Sequence, residues 1–134
     1  MKHPFALFSY LTGVAFAAML AAAPGYAQTG PLDGKSFQGV LIEKGKIRGD
    51  ADTIVFKDGR FRSTACDQYG FSEAAYTVAT EGNVTRFEAE TESARHGRLQ
   101  WTGYVRGDKL DATAIWVRPG KAPVEQWYVG GLKK

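Results

Sequence analysis

The stretch that decides the fold is Arg98-Leu-Gln-Trp-Thr-Gly-Tyr-Val105, then Arg106-Gly-Asp-Lys109, then Leu110-Asp-Ala-Thr-Ala-Ile-Trp-Val117. The first segment alternates apolar and polar residues, the signature of a strand with one buried and one wetter face. Gly107 and Asp108 are residues that tight reversals favour. The returning segment sets Leu110, Ala112, Ala114 and Trp116 on one face, and Arg118-Pro-Gly-Lys121 reverses the chain again toward a last strand ending near Leu132. Each of the three strands carries one tryptophan: Trp101, Trp116 and Trp127. Three consecutive strands joined by tight turns make an antiparallel meander.

The same pattern extends upstream. Ser36 to Glu43 reads as strand one, with Phe37, Gly39 and Leu41 on one face, and Lys44 to Asp50 as a charged loop. Thr53 to Lys57 is strand two. Asp58-Gly59 is the strongest hairpin signal in the chain, because a type I′ turn needs positive φ at both central residues. Strand three runs from Arg60 to Cys66, with Phe61, Ser63 and Ala65 on one face, and Asp67 to Gly70 turns the chain. Strand four spans Phe71 to Ala79. Strand five spans Val84 to Thr91, where Phe87 and Ala89 oppose Arg86, Glu88 and Glu90. Eight short strands in sequence order, with no loop longer than about seven residues, predict an all-β, eight-stranded antiparallel up-and-down barrel of lipocalin-like architecture. A Greek-key sandwich needs a long crossover, which these loops do not supply.

Residues 1–27 read as an export signal. Lys2 gives a basic start, an Ala/Leu/Phe-rich run reaches Ala23, and Gly25-Tyr26-Ala27 has small residues where a signal peptidase cuts. Ser9, Tyr10, Thr12 and Gly13 interrupt the run, which favours a cleaved signal over a retained anchor. The expected organisation is a cleaved signal (1–27), a turn-rich leader (28–35) and one barrel domain (36–134), placed in the periplasm or the medium. Losing Lys2 leaves 16 basic residues against 14 acidic ones, too balanced for a nucleic-acid partner. No membrane partner is expected once the signal is gone, and the strands are short for a membrane-spanning barrel. Cys66 is the only cysteine, so an internal disulfide is impossible.

The segment from Arg98 onward resembles the C-terminal half of the avidin/streptavidin barrels. Trp101-Thr102-Gly103, Tyr104-Val105, Gly107, Leu110, Ala112, Ala114, Trp116 and Trp127 carry the likeness. It implies a meander barrel. It does not carry over biotin recognition: the family's hydroxyl positions, two and four residues before the first of these tryptophans, are Leu99 and Gly97 here, its late aspartate falls beyond Lys134, and its Gly-x-Trp opening is missing from strand one. The whole mature chain is similar to a group of small exported bacterial proteins of unknown function, through Leu32-Asp-Gly-Lys35, Phe56-Lys-Asp-Gly59 and Ser63-Thr-Ala-Cys-Asp67. That likeness implies a fold and no activity.

Chemistry-bearing constellations are sparse. A nucleophilic cysteine needs a base and a lowered pKa, and the only histidine of the mature chain, His96, lies in a distant loop. Cys66 is therefore expected to be buried, reduced and quiet. No metal-ligand spacing appears, and turn chemistry accounts for Asp50, Asp52, Asp108 and Asp111. Turn chemistry also accounts for the two Arg-Gly-Asp tripeptides at Arg48 and Arg106. No catalytic set, cofactor or metal is expected. What remains is the aromatic set. An eight-stranded barrel is either filled by side chains or holds one small ligand, and so many aromatics in so short a chain favour the filled state. Gly39, Ala65, Ala89, Gly103, Ala112 and Ala114 suggest residual space inside. The leading expectation is a non-enzymatic barrel binding a small apolar or aromatic molecule in the lumen or at its mouth, with Trp101, Trp116, Phe56 and Phe87 as contacts. The alternative is a protein-interaction or self-associating module using the outer face of strands seven and eight, around Trp127, Ile115 and Tyr104.

Overall fold

A computed structural model describes residues 30–134; the expected export signal lies outside the described residues. The alternating pattern closes into a barrel of eight antiparallel strands, each paired with its sequence neighbour and the first with the last. They are β1 (Ser36–Glu43), β2 (Asp50–Lys57), β3 (Arg60–Ser63), β4 (Ala74–Glu81), β5 (Val84–Ser93), β6 (Gly97–Arg106), β7 (Lys109–Val117) and β8 (Val124–Leu132). Closure runs from Phe37 opposite Leu132 to Glu43 opposite Gln126, which leaves no unpaired edge. Asp58 and Gly59 have φ of 52° and 74°, the left-handed pair that the β2–β3 hairpin requires.

Three strand boundaries differ from the sequence reading by three residues each. β2 begins at Asp50 rather than Thr53, and β3 ends at Ser63, where a 3-10 turn over Thr64–Tyr69 takes over. The β2–β3 ladder stops at Ile54 opposite Ser63. One step further on, the Thr53 amide bonds the Thr64 hydroxyl at 3.0 Å instead of a strand carbonyl. Phe71, expected to open strand four, instead lies buried between the 3-10 turn and β4. The β3–β4 seam is reduced to two pairs, Arg60–Ala75 and Phe61–Ala74.

Inward-facing side chains fill the lumen. Phe56 is the hub, with ring centroids 4.9 Å from Tyr76, 5.0 Å from Phe87, 5.7 Å from Phe61 and 6.2 Å from Phe37, all edge-on. Phe61 stacks on Phe87 at 5.6 Å and leans on Trp101 at 5.0 Å. Each such pair contributes about 0.5–1.5 kcal/mol beyond the area it buries. The lumen is thus filled, the state that the number of aromatics favoured, and the small wall residues make room for rings. At Gly103 an added Cβ would lie 2.2 Å from the Phe87 ring, so the missing side chain is room already taken by that ring.

The two ends of the barrel differ. One end is closed by the leader: Leu32 is fully buried, Gly34 donates to the Phe56 carbonyl at 2.7 Å, and Phe56 donates to the Lys35 carbonyl at 2.9 Å. Asp33 fastens this plug by accepting from the Tyr76 hydroxyl (3.0 Å) and the Gly59 amide (2.9 Å). The other end carries the longer connections and stays open.

Candidate functional site

The open end is organised by a residue that sequence reasoning assigned to a loop. Asp52 shares parity with Ile54 and Phe56 on β2, so it faces inward, and it is buried. Its carboxyl accepts from the Ser63 hydroxyl at 2.6 Å, the Ala65 amide at 3.0 Å and the Thr64 hydroxyl at 3.4 Å. A buried carboxyl requires such partners. These bonds fix the first residues of the 3-10 turn and swing the chain across the barrel mouth. Tyr128 supports the same corner from β8, donating to the carbonyls of Phe37 (3.0 Å) and Asp52 (3.4 Å). Burial and the Asp52 charge raise the pKa of its hydroxyl, which stays protonated.

The 3-10 turn settles the position of Cys66. Strict alternation would send it outward. The turn instead brings it inward, 6 % exposed, with Phe71 bonded to its carbonyl and the Ser63 hydroxyl 3.2 Å from its sulfur. Burial pushes the thiol up to about 11, which the Ser63 bond only partly offsets. An activated cysteine shows the opposite shift. The expected buried, free thiol is what the structure contains.

Above this corner lies a cavity of about 360 Å³. Leu41, Cys66, Phe71, Leu99 and Trp116 supply its apolar surface, and Glu43, Lys46, Arg48 and Asp50 its charged surroundings. Trp116 is held in place: its indole N–H donates to the His96 carbonyl, and the Arg118 guanidinium lies 3.8 Å over its ring. A larger depression of about 680 Å³, bordered by Glu92, Arg98 and Pro119, is an open groove distinct from this cavity.

Of the four residues expected to contact a ligand, Trp116 lines the cavity. Phe56, Phe87 and Trp101 belong to the packed interior beneath it. Leu41, Cys66, Phe71 and Leu99 join Trp116 instead; Leu99 pairs with Trp116 across β6 and β7. Parity alone could have identified Leu41 and Leu99, whereas Cys66 and Phe71 required knowledge of the 3-10 turn.

The residues expected on an outer interaction face do point outward, but they do not form one patch. Trp127, 44 % exposed, lies between Thr113 and Ile42. Val129, 68 % exposed, lies between Asp111 and Val40. The continuous apolar strip therefore crosses β8 and β1. Ile115 is flanked by Gln100 and Glu125, and Tyr104 by Asp111 and Arg86, so polar neighbours separate both from Trp127. Comparison with known proteins finds no family model, no curated protein and no solved structure that matches this chain.

Proposed function

We propose that this is an exported, non-enzymatic β-barrel that holds a small apolar or aromatic molecule at its open mouth, against Trp116, Leu99, Leu41 and Phe71. The observation that carries the reading is the cavity of about 360 Å³, with an apolar surface set into an otherwise filled barrel. Its size falls within the range of small-molecule sites, about 300–1,000 Å³. The aromatic packing beneath it limits the depth a ligand can reach. The charged residues around the cavity suit a molecule with an apolar body and one polar end.

The test is titration with 1-anilinonaphthalene-8-sulfonate, an apolar ring system with an anionic group, read by its fluorescence. Saturable binding that Trp116→Ala weakens and Trp127→Ala leaves unchanged supports the mouth. Native mass spectrometry of protein from its own host then identifies the resident molecule. Binding lost in Trp127→Ala and kept in Trp116→Ala moves the site to the outer strip. That second reading, an association surface on β8 and β1, has one observation in its favour: the exposed run of Trp127, Val129 and Val40.

A further inference from the structure

Strand parity carries negative charge to the rim of the mouth cavity. Glu43 shares its face of β1 with Phe37 and Leu41, and Asp50 shares its face of β2 with Asp52 and Ile54. Both carboxylates therefore stand on the inward face at the open end. Register sets Asp50 opposite Leu41 and Glu43 opposite Gln126. Each carboxylate lies one inward position, about 7 Å of strand, above a buried residue: Glu43 above Leu41, and Asp50 above Asp52.

The connection over residues 44–49 brings the opposite sign to the same rim. Lys46 donates its amide to the Glu43 carbonyl at 2.9 Å, and a Cβ at Gly49 would lie 2.4 Å from the Leu41 carbonyl oxygen. The connection is thus folded down against β1, and Lys46 and Arg48 line the cavity together with Glu43 and Asp50. Lys44, the third cation of this connection, is held by Glu125 at 3.2 Å. Among the described residues, no ion pair engages Glu43, Lys46, Arg48 or Asp50. The rim therefore offers unpaired carboxylates and unpaired cations side by side over one apolar floor. At that floor the potential is negative on the Asp50 side: burial raises the Cys66 thiol most, and the charges of Asp52, Asp67 and Asp50 raise it further.

We propose that the ligand of the mouth cavity is a small aromatic zwitterion of the α-amino-acid class, with its ring against Trp116 and Leu99, its ammonium at Glu43 and Asp50, and its carboxylate at Lys46 and Arg48. The inference rests on the cavity reading and names the ligand class which that reading leaves open. A simple amine brings its charge within the field of Lys46 and Arg48, and a simple acid brings its charge within that of Glu43 and Asp50. In each case like charges oppose it. A head group with both signs meets both pairs.

The experiment is calorimetric titration of the purified protein with phenylalanine and with two probes that each lack one charge, 2-phenylethylamine and 3-phenylpropanoate. Titration with 1-anilinonaphthalene-8-sulfonate reports on the cavity itself. Phenylalanine is expected to bind tightest, and each charge deletion to weaken binding about threefold to tenfold. Glu43→Gln combined with Asp50→Asn abolishes the advantage of phenylalanine over 3-phenylpropanoate. Lys46→Gln combined with Arg48→Gln abolishes its advantage over 2-phenylethylamine. Lys121→Gln, at the same end but outside the cavity wall, leaves all three affinities unchanged. All five substituted positions are exposed, and circular dichroism checks the folding of each variant. A singly charged probe that binds the parent as tightly as phenylalanine overturns the proposal and assigns the site to an amine or an acid. So does phenylalanine binding that Trp116→Ala leaves intact, or a Lys121→Gln loss matching that of the Lys46→Gln and Arg48→Gln pair. Trp116-dependent binding of 1-anilinonaphthalene-8-sulfonate without phenylalanine binding overturns the zwitterion and keeps the cavity. Failure of both ligands removes the cavity reading as well.

Discussion

Removing the Phe87 ring and then filling the space from the opposite wall tests the packing of the lumen directly. Phe87 is fully buried, 5.0 Å from Phe56 and 5.6 Å from Phe61, and its ring covers Gly103 on β6. Phe87→Ala forfeits about 2–3 kcal/mol of transfer free energy. A residual void on the order of 100 Å³, at about 24 cal/mol per Å³, adds roughly 2 kcal/mol. The expected loss is about 4–5 kcal/mol. Gly103→Ala alone places a Cβ 2.2 Å from the Phe87 ring and should cost about 1–3 kcal/mol through overpacking. In the Phe87→Ala background that ring is gone, and only the Ala112 Cβ, at 2.9 Å, remains tight. The same Gly103→Ala change should then cost less than about 1 kcal/mol, giving a coupling of about 1–3 kcal/mol. Urea unfolding of the four proteins, followed by tryptophan fluorescence, closes the cycle, with Trp101 reporting from the core. Additivity within about 0.5 kcal/mol would refute the argument that Gly103 exists to admit Phe87.

Three further outcomes follow from the corner, the thiol and the plug. Asp52→Ala leaves the Ser63 hydroxyl and the Ala65 amide without their acceptor, and should cost about 2–4 kcal/mol and speed labelling of Cys66 by iodoacetamide at least about tenfold; unchanged labelling would show that Asp52 does not hold the 3-10 turn. Burial raises the Cys66 thiol from 9.0 to about 11, so between those pH values the unfolded chain has lost a proton that the native state keeps. Stability therefore falls as pH rises across that window, by at most about 1.4 kcal/mol per unit. Cys66→Ala should remove that part of the slope in urea unfolding at stepped pH, and an identical slope in the variant would count against the buried thiol. Leu32→Ala empties the stopper of the closed end and should cost about 2–4 kcal/mol; a change below about 0.5 kcal/mol in urea unfolding would mean that the leader is not part of the folded unit.

The architecture was legible because a meander barrel is written locally. Alternation in 98–117 fixed two strands and their faces, and Asp58-Gly59 fixed a hairpin, without any long-range information. Phe37, Ile54, Phe56, Phe61, Phe87 and Leu110 all face inward as parity required. The mouth was less legible because alternation stops there. Asp52 reads as turn chemistry when strand two starts at Thr53; a charged residue at an inward position looks like a loop until its partners at Ser63, Thr64 and Ala65 are known. Phe56, Phe87 and Trp101 were natural choices for ligand contacts because a sequence reveals which residues face inward and not how deep they lie. Whether a lumen is full depends on the fit between rings and small residues across the barrel, as between Phe87 and Gly103.

The closure of β1 on β8 sets the order in which the molecule can be made. Every other pairing in the wall joins sequence neighbours, whereas Phe37 meets Leu132 across almost the whole described chain. Hairpins close quickly, and distant ends meet only after a larger loss of chain entropy. Until β8 has emerged, β1 and β7 each present a bare edge, and Tyr128 has not yet reached the carbonyls of Phe37 and Asp52. A growing chain is thus an open, adhesive sheet through most of its synthesis, and its last nine-residue strand converts it into a sealed cylinder. Its final element is thus also its lock, since a chain stopped short of β8 lacks the pairing that seals the wall.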